Sequence, residues 1–203
     1  MARTRAAEIA REVTGRELLG AALEVFVKKG YHATTIADIV KAAGVTQGTF
    51  YLYYRNKADI FSALLQEYRE LTISGLFNVN IEAVGTKSDW LRMADRIADL
   101  LIDHISTHGD FIRLFIAEAA TIRAVFPEES RAFSVGTMAE IGRILRHGIK
   151  RGLLKKVDIE AFALSAFGAL KEAVDQSCLK KVSWRPEDII PRVIRCQAEL
   201  ILK

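Results

Sequence analysis

Proline is nearly missing from this chain of 203 residues: there are three, Pro127, Pro186 and Pro191. That scarcity rules out extended polyproline linkers and leaves long stretches free to remain helical. Cysteine is scarcer still, with Cys178 and Cys196 alone. Two do not make a disulfide framework, and both are read as reduced thiols of a cytoplasmic protein. No run of about 18 uninterrupted apolar residues occurs, so no ordinary membrane-spanning helix is expected. The opening MARTRAAEIAREV has the arginine and alanine of a transit peptide, but Glu8, Glu12 and the lack of an apolar segment after it point away from targeting. Signatures of catalysis are also missing. There is no phosphate-cradling GxxxxGK[ST], no GxSxG elbow, no HExxH and no CxxC. No enzyme, cofactor or metal centre is expected.

What the chain does have is a lopsided charge. Residues 1–57 hold nine Lys/Arg against five Asp/Glu, while the rest of the chain is balanced, so the whole net charge of +4 sits in the N-terminal quarter. A basic module joined to a neutral body suits a protein that meets a polyanion. Half of the residues are hydrophobic, enough for a sizeable core.

Apolar periodicity of 3.6 runs through nearly all of the chain and predicts an all-α fold of about nine helices. The first runs from Thr14 to Lys29 on Leu19, Ala22, Leu23 and Phe26, with Gly30 as its stop. Either Thr34 or Thr35 caps the next, whose inner face is Ile36, Ile39, Val40 and Ala43, and Gly44 ends it. Thr46 caps a helix of about two turns from Gln47 to Tyr53. Asn56 caps a longer one starting near Lys57. Helix, tight glycine-bearing turn and short helix give helix-turn-helix spacing. Beyond it lies a larger body, with helix starts expected at Ser88, Pro127, Asp158 and Pro186. The expected division is a helix-turn-helix domain over 1–66 and a larger helical domain over 67–203.

In a helix-turn-helix the second helix enters the major groove and its first residues meet base edges. Those residues here are Thr46, Gln47, Gly48 and Thr49. Gln47 can donate to and accept from an adenine, a threonine methyl can meet a thymine methyl, and Gly48 allows close approach. Phe50 and Tyr54 are spaced to turn inward. Tyr51 and Tyr53 flank them with hydroxyls for phosphates, and Lys57 adds a charge beside free N–H groups. Thr35 completes the expected DNA-contacting set. Arg3, Arg5 and Arg11 form an arm that either reaches the DNA or frays.

The segment FVKKGY (26–31), then TTIADIVKAAGVTQGTFYLYYRNK (34–57), resembles the DNA-binding domain of the TetR family of bacterial transcriptional regulators. The likeness covers residues 14–65. Three departures are mild: Val40 where alanine is usual, Tyr54 where phenylalanine is usual, and Ala58-Asp59 where an acidic pair is common. The resemblance implies a homodimer built through the last two helices, a palindromic double-stranded operator, and release by a small, hydrophobic ligand in the C-terminal body. Such a protein is most often a repressor. The small residues Ala163, Ala166, Gly168, Ala169 and Ala173 suit close helix approach in such a dimer or within one chain. The alternative reading keeps the fold and makes the helix-turn-helix a protein-docking module without DNA.

In the body, Trp90, His104, Phe115, Glu118 and Phe162 are the candidate ligand-pocket residues, although the same aromatic set also suits a plain core. Glu118 reads either as a counter-ion for a cationic ligand or as the partner of Arg113 or Arg123. His104 and His108 stand one turn apart without a third metal ligand at supporting spacing.

Overall fold

The computed structural model describes residues 2–178 and 184–203, with side chains from Thr14 onward. The arm arginines Arg3, Arg5 and Arg11 therefore lie outside the described side chains. Ten α-helices follow one another: α1 (Ala2–Ala33), α2 (Ile36–Ala43), α3 (Gln47–Tyr51), α4 (Lys57–Leu76), α5 (Lys87–Thr107), α6 (Gly109–Ala117), α7 (Ala119–Val125), α8 (Pro127–Lys150), α9 (Ile159–Cys178) and α10 (Pro186–Leu200). A 3-10 turn at Ile81–Ala83 precedes α5. The described residues contain no sheet, and Leu154 pairs with Leu202 as an isolated antiparallel bridge. The all-α class is as expected. The helix count exceeds expectation by one because the backbone of Glu118 leaves helical geometry between α6 and α7.

Two compact units divide the chain, Met1–Tyr68 with Arg113–Glu129, and Arg69–Ile112 with Ser130–Lys203. In the first, Phe26, Phe50 and Phe61 are fully buried, as are Leu18, Ile39 and Ile60. Burying each such side chain contributes roughly 1.5–3 kcal/mol. Phe61 sits among Phe26, Tyr31 and Phe126 at ring-centroid distances of 4.8–4.9 Å. The Phe126 ring brings the far segment 113–129 into this core. Gly30 is where α1 must bend. Its φ of 76° lies in the left-handed region, and a Cβ there would stand 2.8 Å from Glu118 Oε1. Any other residue would meet both a backbone penalty and a clash.

Local chemistry sets the ends of the short helices. Thr35, not Thr34, caps α2: its Oγ1 accepts from Asp38 N–H while the Asp38 carboxylate accepts from Thr35 N–H. Such reciprocal capping is worth about 1 kcal/mol. Thr34 is buried instead and donates to Gly30 O at 2.7 Å. Asn56 caps α4 through Asp59 N–H at 2.9 Å. In the body, Thr86 rather than Ser88 caps α5, again in a reciprocal pair with its third residue, Asp89. Asp158 caps α9 through Ala161 N–H at 3.0 Å.

The second unit has its own core, in which α10 packs against α5 and α9 and Ile144 and Leu145 of α8 join the buried cluster. Trp90 Nε1 donates to Ala198 O at 3.1 Å, tying α5 to α10. Gly148 on α8 lies under Leu154 and the Trp90 ring, where a Cβ would stand 2.5 Å from Leu154 Cδ1. That close approach requires glycine. The small residues of α9 divide between two faces. Ala163, Ala166 and Ala173 are buried within the unit, whereas Gly168 and Ala169 are exposed.

Candidate nucleic-acid interface

The α2–α3 turn is built by its caps. Gly44 N–H bonds back to the last turn of α2, Val45 bridges, and Thr46 Oγ1 accepts from Thr49 N–H at 3.1 Å. The Thr46 and Thr49 hydroxyls are also 2.9 Å apart. Phe50, fully buried, fixes the rotation of α3. With that side chain inward, Thr46, Gln47 and Gly48 are exposed at the start of the helix and Thr49 is half-buried. This is the arrangement expected of a reading helix: a rigid anchor on one face and short or amide side chains on the other.

The three tyrosines part as their spacing requires. Tyr51 is exposed. Tyr53 is half-buried and lies on α1, its ring within 3.5 Å of where a Cβ on Gly15 would be. Tyr54 turns toward Phe50, with ring centroids 5.9 Å apart. Burial, with Glu67 and Asp59 nearby, pushes its hydroxyl up to about 12. Thr35 is exposed, but its hydroxyl is held by Asp38 at 2.8 Å. Lys29 and Thr35 bring the Asp38 carboxyl down to about 2, so the capping pair is charged at neutral pH.

Lys57 departs from expectation. A free ammonium facing a phosphate was expected; the structure turns it inward. Nζ donates to the carbonyls of Tyr31 at 2.7 Å, His32 at 3.1 Å and Thr34 at 2.8 Å. It also stands 4.6 Å from the centroid of the Tyr31 ring. Carbonyls left over at a helix C-terminus attract a cation, and the end of α1 takes this one. Leu52, which is 71% exposed, and Lys41 on α2 are exposed as well.

The five candidate pocket residues divide between the two units. Trp90 and Phe162 line an apolar cavity of about 110 Å³ in the second unit, with Met93, Ile97, Leu170 and Ile194 among its other walls. His104 belongs to the same unit but is buried on Thr72, Nε2 to Oγ1 3.2 Å. Burial and the neighbouring His108 hold its imidazole down to about 4, so it is neutral. Phe115 and Glu118 belong to the first unit. Phe115 packs on Tyr68 at 5.1 Å. The Glu118 carboxylate accepts from Tyr31 N–H at 2.9 Å. Among the described residues no group of three or more His, Cys, Asp and Glu is placed to hold a metal ion. No helix there is long and apolar enough to cross a membrane.

Comparison with known proteins agrees with this geometry. Residues 18–64 match the bacterial regulatory proteins of the tetR family. The N-terminal domain belongs to that family. It is 28% identical over 162 residues to the fatty acid metabolism regulator protein of Bacillus subtilis, a match that covers 78% of this chain and 80% of that one. YuxN, an uncharacterised HTH-type transcriptional regulator of the same organism, is 30% identical over 104 residues, about half of this chain and about a third of YuxN. The fold is shared with the transcriptional regulator FadR of Bacillus subtilis solved with stearoyl-CoA. The TM-score is 0.75 at 23% identity, over 92% of this chain and 98% of that one. Residues 18–64 span the helix-turn-helix described above, and the named relatives matched over most of this chain are regulators.

Proposed function

We propose that this regulator is a cytoplasmic repressor that binds a palindromic operator as a homodimer and leaves it when a small apolar molecule occupies the second unit. The observation that carries the reading is the α3 face. Thr46, Gln47 and Gly48 are presented to solvent by a helix whose opposite side is locked by Phe50. Residues so held can enter a major groove without reordering, while Tyr51 offers a hydroxyl to a strand.

The dimer is supported by α9. Ala161, Leu164, Ser165, Gly168 and Ala169 recur every three to four residues and are all exposed, Leu164 to 60%. On α10, Cys196 and Leu200 are exposed as well. A small-residue stripe beside uncovered leucines fits an isologous two-fold contact of these helices. The effector reading is supported by the apolar cavity and by the stearoyl-CoA complex of the Bacillus subtilis neighbour.

Gel shifts with the DNA upstream of the protein's own gene, repeated across salt, test the reading. Binding should weaken steeply with salt, as phosphate contacts require. Gln47→Ala should relax the sequence preference, costing roughly 1–3 kcal/mol on its preferred site. Salt-independent binding, or capture of proteins but no DNA, would favour the docking-module alternative.

A further inference from the structure

The apolar cavity has a neighbour. A groove of about 570 Å³ lies along α5, the end of α4 and the segment after it, lined by Ser74, Asn78, Asn80, Asp89, Arg92 and Arg96 among others. Met93 is a wall of both spaces. The reason is helical geometry. Residues 89, 92, 96 and 100 share one strip of α5, residues 90, 94, 97 and 101 share the adjacent strip, and Met93 stands on the line between them.

The two spaces differ in chemistry. Besides the indole of Trp90, which is bonded to Ala198 O, the cavity holds one polar side chain, Gln197. In the groove, Asp89 is the sole carboxylate of the lining and is already paired with the Arg92 guanidinium. It also accepts from Thr86 and Gly85. Arg96, on the same wall, is exposed and has no acidic partner among the described residues. The groove therefore carries one uncompensated positive charge beside an apolar hole, separated by a methionine. Methionine is unbranched and readily moved to let a chain pass.

We infer that the effector is an amphipathic anion, with a linear apolar chain in the cavity, a negatively charged head in the groove on Arg96, and Met93 as the doorway between them. This rests on the reading that the second unit binds an effector, and it assigns the chemical class and the headgroup residue. A carboxylate and an acyl thioester with a phosphorylated carrier share that chemistry. The carboxyl, hydroxyl or amide oxygens of either head would also have Asn78 and Asn80 at hand.

The test uses the full chain carrying Trp184→Phe, which leaves Trp90 in the cavity wall as the only tryptophan, excited selectively over the tyrosines. Four probes of equal chain length are titrated: decanoate, decanoyl-CoA, decanol and decyltrimethylammonium. At least one anionic probe is expected to shift Trp90 emission and bind about tenfold tighter than decanol, with the cation weakest. The stronger of decanoate and decanoyl-CoA identifies the source of the head. Shortening that probe should weaken binding about fourfold per methylene removed, as long as the chain is buried. Arg96→Met should remove the anion's advantage and leave decanol unchanged, and Arg96→Lys should restore part of it. Equal binding of anion, alcohol and cation, or an anion preference that survives Arg96→Met, overturns the inference. If decanol then still releases the operator in a gel shift, the effector reading stands without it. If no probe shifts Trp90 emission or operator binding, both fall.

Discussion

Lys57 has three N–H donors, and three carbonyls at and just past the end of α1 take them. A charged hydrogen bond contributes roughly 1.5–3 kcal/mol where it cannot be replaced by water, so the side chain holds the α1–α2 turn against α4. Lys57→Met is expected to lower the thermal midpoint by several degrees. It should leave the slope of log affinity against log salt unchanged. A side chain that neutralised a phosphate would do the reverse, flattening that slope by about 0.9 with no loss of stability. Melting curves and salt-dependent gel shifts on one variant separate the two roles. Tyr51→Phe is the control. Its ring is half exposed, so the midpoint should not move while operator affinity falls. His104 makes a second residue-scale prediction. Its imidazole titrates near 4 in the fold against 6.5 when free, so the unfolded chain binds the proton first as pH falls. Stability is complete above 6.5 and is lost progressively toward 4, by about 3 kcal/mol in total. His104→Gln should flatten denaturant midpoints across that window, although its midpoint at neutral pH should be somewhat lower.

At the scale of elements, the α1–α2 corner and the α6–α7 break are one construction. Glu118 ends α6, and its carboxylate accepts from Tyr31 N–H, so it is not free to cap α7. Gly30 gives it room. Gly30→Ala should destabilise by about 2 kcal/mol or more, from positive φ plus the encounter with Glu118. Glu118→Ala relieves that encounter, so the double variant should lose less than the two single losses together. Additive losses in a denaturant double-mutant cycle would show that the contact does not matter. The same corner shows what the sequence could and could not disclose. The helices α2 and α3 were legible because their ends carry local signals: Thr35 with Asp38, Gly44, Thr46. The cap of α5 was equally available, since Thr86 has Asp89 three residues on, but Ser88 stood close enough to compete. The break at Glu118 left no mark, because AEAAT has neither glycine nor proline and the bond made there is to a residue 87 positions away. The bonds of Lys57 were hidden for the same reason. Its partners are carbonyls that become neighbours only after folding. Likewise Phe115 and Phe162 looked alike as aromatic core candidates, and only the packing assigned them to different units.

For the whole molecule, the question is how one 203-residue chain reads a site with enough affinity to control it. A single helix-turn-helix presents few contacts, and two half-sites bound by linked heads gain roughly 10²–10⁴ in effective affinity without any new contact type. The exposed face of α9 supplies the link in the reading proposed above. Leu164 stands there 60% exposed beside Gly168 and Ala169, so Leu164→Glu puts a charge in the contact without touching the chain's own core. The variant should keep its helical signal and melting behaviour apart from any concentration dependence, and sediment as a monomer. Its operator affinity should fall by the avidity factor. Because half as many phosphates are then engaged per binding event, the salt slope should also fall to about half. Misfolding would abolish binding and cannot give a halved slope, so the two explanations part on the same titration. A variant that stays dimeric and binds as before would place the two-fold contact elsewhere on the chain, and the small-residue face of α9 would need another occupant.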